Sequence, residues 1–255
     1  MNKIESFPSY ISPAVVTRRN LVQAVLSTLL WHQVEQSSGL TKAEELLDQG
    51  RGLLILINHF GKTDPAQVIN NVVFARKKMR CKPITTPIAY HQQKPYINML
   101  AGLTSINMKP IVTPDTIRLN QNDGLDQGTG LTDYINSSLQ TLKQGGIVLL
   151  APQAGRRERL GEPDKTMRLF MLLAKRHKVN NFGILFIGLG IEGITDYSER
   201  NAGGLNIGRT YEIKIGPTFT QEEAIIDAKR QNLDLDAWVF SQLTPLVPES
   251  YLGER

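Results

Sequence analysis

The sequence predicts an α/β fold: a single domain with a largely parallel mixed sheet flanked by helices, plus an N-terminal amphipathic helical segment. Three observations carry this. Short apolar runs alternate with segments whose apolar residues recur every three or four positions, the pattern of strands joined by helices. The clearest run, Leu53-Leu54-Ile55-Leu56-Ile57, is continuously apolar, as in a strand covered on both faces. The length, 255 residues, suits one such domain with a small helical appendage.

Taken in order, residues 1–13 carry Pro8 and Pro13 and read as an irregular lead. Residues 17–37 read as a helix. Leu21, Val22, Val25, Leu26, Leu29, Leu30 and Val34 form its stripe, Trp31 lies near it, and Gly39 is its stop. That stripe suits packing on the domain or, alternatively, a lipid surface. Residues 41–48 read as a short helix opened by a Thr41/Glu44 capping box. These elements form the segment 1–50, and the main domain takes 51–255. It starts with the strand 53–57, after Gly50 and Gly52. Asp64 and Pro65 then suit the N-cap and first turn of a helix through Val68, Ile69, Val72, Val73 and Phe74. The helix ends in the basic run 76–82. Further strands are predicted at 84–88, 106–112, 147–150, 184–191 and 211–215, and helices near 97–103, 131–143, 166–178, 221–229 and 235–246. The polar stretch 113–130 holds Pro114, Gly124, Gly128 and Gly130, and reads as an insertion or a lid.

Composition narrows the function classes. Hydrophobic residues at 41% and charged residues at 21% are those of a folded globular chain. The single cysteine, Cys81, rules out an internal disulfide and a cysteine metal cluster, reads as an incidental thiol, and points to a reducing, cytoplasmic setting. No signal peptide or membrane-spanning run is visible, so any membrane contact is expected to be peripheral. The net charge of +5 suits anionic partners. With sparse aromatics and no basic helix interleaved with them, nucleic acid is not expected. The run 76–82 holds five cations in seven residues and could meet CoA phosphates, an acidic carrier protein or anionic lipid; it equally suits a helix C-terminus. His32, His91 and His177 have no partners at ligand spacing and read as surface or packing residues.

Two stretches carry chemistry. His59 directly follows the strand 53–57, and Asp64, five residues on, opens a helix. Both then sit at the carboxyl end of a parallel strand, where α/β sheets bind ligands. A neutral imidazole there can take the proton of an attacking hydroxyl, while a carboxylate fixes its tautomer. No G-x-S-x-G elbow is present, so the hydroxyl would be the substrate's. The competing reading is a structural histidine capped by its own turn. The second stretch, Gly145-Gly146-Ile147-Val148-Leu149-Leu150-Ala151-Pro152-Gln153-Ala154-Gly155-Arg156-Arg157, is a strand running into a small-residue turn with arginines, a suitable anion site. The glycine-rich segment 203–209 precedes a strand and reads as a turn.

Together these residues resemble the PlsC-like glycerolipid acyltransferases over about residues 53–216. Asn58-His59-Phe60-Gly61-Lys62-Thr63-Asp64-Pro65 looks like the family's N-H-x-x-x-x-D-P block in full. Ala151-Pro152-Gln153-Ala154-Gly155-Arg156 looks like its F-P-E-G-T-R block, with identity at Pro152 and Arg156 and with Gln153 in place of Glu. Residues 103–109 are similar to the segment ending in the family's acceptor-binding arginine, with Lys109 in its place. Residues 183–188 occupy the proline-containing strand block but lack its prolines.

The resemblance implies an acyltransferase that moves an acyl group from acyl-CoA or acyl-acyl carrier protein to a glycerolipid-type hydroxyl, such as that of glycerol 3-phosphate or a lysophospholipid. It implies His59 as general base, Asp64 as its orienting partner, and an acceptor pocket of Lys109, Gln153, Ala154, Gly155 and Arg156. No metal or other cofactor is implied. The altered Gln153 and Lys109 leave open an acceptor without phosphate. A non-catalytic lipid- or carrier-binding protein, or a thioester or lipid hydrolase, are the alternative readings.

Overall fold

The computed structural model describes residues 10–35, 37–153, 156–161 and 165–252. The chain opens with α1 (Pro13–Ser27), β1 (His32–Glu35), α2 (Ser38–Asp48) and β2 (Gly52–Ile57). Next come α3 (Asp64–Val68), a π-helical turn (Ile69–Val73), α4 (Lys77–Arg80) and β3 (Ile84–Ala89). A 3-10 turn (Tyr90–Gln92), α5 (Pro95–Thr104), β4 (Ile106–Ile111), α6 (Pro114–Arg118), α7 (Leu131–Lys143) and β5 (Ile147–Leu150) follow. The last elements are α8 (Thr166–Arg176), β6 (Phe182–Ile191), β7 (Tyr211–Thr220), α9 (Gln221–Arg230), α10 (Leu235–Leu243), a 3-10 turn (Thr244–Leu246) and α11 (Glu249–Leu252).

The seven strands form one sheet in the order β1-β7-β6-β2-β5-β3-β4. The five from β6 to β4 are mutually parallel, while β7 is antiparallel to β6 and β1 parallel to β7. All residues of β2 and β6 are buried, as a sheet covered by helices on both faces requires. The topology brings the carboxyl ends of the five parallel strands and the starts of β7 and β1 to one edge of the sheet.

The predicted α/β class with a mostly parallel mixed sheet is what the chain adopts. The N-terminal segment differs from expectation. Its first helix stops at Ser27, and His32–Glu35 adds to the sheet by pairing with Tyr211–Lys214. This strand is an edge, so its polar residues stay solvated and leave no apolar run to read. The next helix starts at Ser38. Ser37, not Thr41, is its cap, accepting from Gly39 N, and Gly39 lies inside the helix instead of ending one. A Cβ on Gly39 would stand 2.0 Å from Gly216 O on β7, so only glycine lets α2 approach this closely.

The helix expected after Asp64 is broken by the π-helical turn. There the side-chain amides of Gln67, Asn70 and Asn71 are buried and bond to one another, Asn71 to Gln67 at 2.6 Å and Asn70 to Asn71 at 2.7 Å. The basic run 76–82 is partly spent on structure. Lys82 is buried and donates to Leu47 O, and Lys78 pairs with Asp48. The stretch 113–130 contains α6, whose N-terminus is closed by a Thr113/Thr116 capping box.

Candidate active site

β2 ends at Ile57, and the chain turns out of the sheet at Asn58. The Asn58 side chain imitates a strand residue: its amide donates to Leu189 O at 2.9 Å, and its oxygen accepts from Leu189 N at 2.7 Å. This pins the turn to β6. Phe60 then plugs the space beneath, in edge contact with Tyr197 and Tyr251. Between Asn58 and Phe60, His59 is left at the surface of the sheet edge with 18% of its side chain exposed.

His59 Nδ1 lies 3.0 Å from Asp64 Oδ2, and Asp64 is fully buried. The same oxygen accepts from Phe60 N and Gly61 N, each at 2.7 Å. The other, Oδ1, accepts from Tyr211 OH at 2.8 Å. Every partner is a donor, the complement of a carboxylate. Asp64 opens α3 as its first residue, with Thr63 at the cap position, and its side chain serves the loop and not the helix end. The tautomer follows: Nδ1 carries the proton given to Asp64, and Nε2 keeps a lone pair.

Tyr211, the first residue of β7, is the buttress of this pair. Its hydroxyl also contacts Thr63 Oγ1 at 2.9 Å and Asn206 Nδ2 at 3.3 Å. Burial, followed by the Asp64 charge, pushes the phenol well above its ordinary range, so it stays a donor. The glycine-rich segment 203–209 is a turn, as predicted, but one that closes on the site: Lys62 N donates to Gly204 O at 3.0 Å. Gly61 sits in the remaining gap, where a Cβ would come within 2.7 Å of Asn206 Nδ2 and 2.9 Å of Asp64 Oδ1.

The two predicted stretches meet. β2 and β5 are neighbours, and Arg157 N donates to His59 O at 2.8 Å. Arg156 has 11% of its side chain exposed. Its guanidinium donates to Gly203 O at 2.9 Å, to Asp115 Oδ2 at 3.1 Å and to Glu199 Oε1 at 3.5 Å. Arg118 pairs with the same two carboxylates. Gln153 is buried and donates to Arg159 O at 3.3 Å, while its oxygen has no partner among the described residues. Ala154 and Gly155 lie outside the described residues. Lys109, on the edge strand β4, lines an open cavity of about 320 Å³ with Tyr90, Met108, Leu125 and Asp133. Neither His59 nor Arg156 lines that cavity, and no hydrogen bond joins Lys109 to them among the described residues.

His91 packs as expected, but beside this site. Its Nδ1 is 2.9 Å from Thr116 Oγ1, and its Nε2 is 3.1 Å from Gln92 Nε2, an arrangement that needs an unprotonated Nε2. Burial and then the Arg156 charge hold the imidazole below its ordinary range. Asn206, Tyr211, Asp115 and Glu199 were not anticipated. Each comes from a strand end, a loop or the first turn of α6, distant in sequence, and only the sheet topology assembles them at one edge. Compared with known proteins, the chain matches no family model and no curated protein.

The arrangement can accept a proton at one point, His59 Nε2, and stabilise the resulting imidazolium through a fixed carboxylate.

Proposed function

We propose that the chain is an O-acyltransferase that moves a fatty acyl group from acyl-CoA or acyl-acyl carrier protein to a hydroxyl of a glycerolipid-type acceptor. The observation that carries this reading is the His59–Asp64 hydrogen bond at the carboxyl edge of the sheet, with no hydrogen bond to Nε2 among the described residues. The acceptor O–H attacks the thioester carbonyl carbon while His59 Nε2 takes its proton. The tetrahedral intermediate collapses, the C–S bond breaks, and the imidazolium returns the proton to the leaving sulfur. An ester and a free thiol result, with no acyl-enzyme on this chain.

Asp64 serves the reaction by holding the Nδ1–H tautomer and by stabilising the positive ring. The resemblance of residues 58–65 to the PlsC-like block supports the same assignment. Thiol release from palmitoyl-CoA and palmitoyl-acyl carrier protein, measured with a panel of alcohols, tests it. His59→Ala and Asp64→Asn should each lower kcat by about 10²–10⁴. Full activity in both variants would refute His59 as base. Thiol release that does not depend on any added alcohol would point to hydrolysis.

A further inference from the structure

Arg156 is the residue that would grip an acceptor phosphate, yet both of its terminal nitrogens already donate to acceptors within the chain. One terminal nitrogen donates to Gly203 O. The other faces Asp115 at 3.1 Å and Glu199 at 3.5 Å. Arg118, from α6, bonds the same carboxylates from outside, at 3.4 Å to Asp115 and 3.0 Å to Glu199. Two cations and two anions cancel within this cluster. A phosphate would need the two-pronged face of the guanidinium. To reach it, the phosphate would have to displace one carboxylate and remain beside the other, a like-charge contact.

The elements that bring this about are well separated. Asp115 comes from α6, within the polar stretch 113–130, and Glu199 from the loop between β6 and β7. They converge on Arg156, which follows β5, because all three connections leave the same edge of the sheet. Of the remaining neighbours, His91 is hydrogen-bonded as the neutral ring, and Lys62 is exposed, its charge acting on Glu199 from the solvent side.

We infer that Asp115 and Glu199 are specificity-determining residues that close the Arg156 site to phosphate and select an uncharged polyol headgroup as the acceptor. The inference rests on the acyl-transfer reading for the reaction, but the charge cluster can be tested apart from it. In this assignment Arg156 ties α6 and the loop 192–210 to the β5 turn, and gives a neutral hydroxyl-bearing headgroup a wall without net charge.

The experiment has two arms on the full chain. In the first, thiol release and ester product are measured with palmitoyl donors and two acceptors of equal chain length, a monoacylglycerol and a lysophosphatidic acid. The wild type should favour monoacylglycerol in kcat/KM by about tenfold or more. In Asp115→Asn/Glu199→Gln the ratio should move toward lysophosphatidic acid by at least about tenfold. Preference of the wild type for lysophosphatidic acid overturns the inference, as does an unchanged ratio in a folded variant.

In the second arm, glycerol 3-phosphate is titrated calorimetrically at millimolar concentration. The wild type should show no saturable binding, and the double variant should bind. Saturable, Arg156-dependent binding by the wild type overturns the inference whatever the activity assay gives. If the double variant does not fold, the wild-type results decide alone. Absence of turnover with every acceptor counts against the acyl-transfer reading and leaves the binding arm standing as the test of the carboxylates.

Discussion

The hydroxyl of Tyr211 is the least expendable contact that the local sequence does not reveal. It holds Asp64 Oδ1 from 147 positions away. Tyr211→Phe keeps the ring packed against Phe60 but removes the donor. The expected result is a fall in kcat of about tenfold and a stability loss of about 1 kcal/mol, read from steady-state assays and urea unfolding. A variant with unchanged kcat would show that Phe60 N and Gly61 N suffice to hold the carboxylate. Gly61→Ala has a different cost, since its Cβ must push Asn206 or Asp64 aside. It should lower kcat as well as stability, because Asp64 Oδ1 is among the atoms the methyl crowds. His59 and Asp64 were legible because both lie in one loop, five residues apart, between an apolar run and a proline. Tyr211, Asp115 and Glu199 were not, because a single tyrosine or carboxylate at a strand end, in a short helix or in a loop carries no local pattern.

Elements built from apolar runs were legible almost to their ends, as β2, β5 and α7 illustrate. Burial on both faces forces a continuous run, and a helix with one buried face forces a three- and four-residue rhythm. β1 escaped because pairing with β7 satisfies its backbone while its side chains face water. The start of α2 escaped because Gly39 signals a stop in isolation, whereas here it permits contact with Gly216. Gly39→Ala should therefore lift α2 from β7 and destabilise the chain by about 1–3 kcal/mol in urea unfolding. A similar dependence on distant contacts holds for α8. Its cap position, Lys165, offers no side-chain hydrogen bond, and Asp236 of α10 accepts from Met167 N at 2.8 Å instead. Asp236→Ala should cost about 1 kcal/mol and fray the first turn of α8, seen as faster amide exchange at Met167 and Arg168.

Across the whole molecule, the sheet edge gathers groups of both charges, and acid should disturb it at His91. The ring faces Arg156, Asp115, Lys62 and Lys94, and burial is the chief cause of its lowered value. Between that value and the ordinary 6.5, the unfolded chain binds more protons than the folded one. The stabilising contribution is therefore complete above 6.5 and is lost as the pH falls through that window. The urea midpoint should drop between about pH 7 and pH 5, and His91→Asn should make that drop shallower. Away from this edge, α1 packs on α5, and the pair exposes Leu21, Val25, Tyr96 and Met99. No helix among the described residues is long and apolar enough to cross a membrane. If this apolar pair meets a lipid surface, liposome flotation should weaken in Leu21→Ser/Met99→Ser. Equal flotation of the variant would assign the face to another role. The reversed direction of β7 has a consequence in time. A ribosome delivers His59 and Asp64 long before Tyr211, so the early chain has no phenol to shield that carboxylate. Folding of the nascent amino-terminal half cannot complete the site. The proposed proton-transfer pair gains its last contact only when β7 pairs beside β6, which makes completion of the candidate site a late event in the protein's own synthesis.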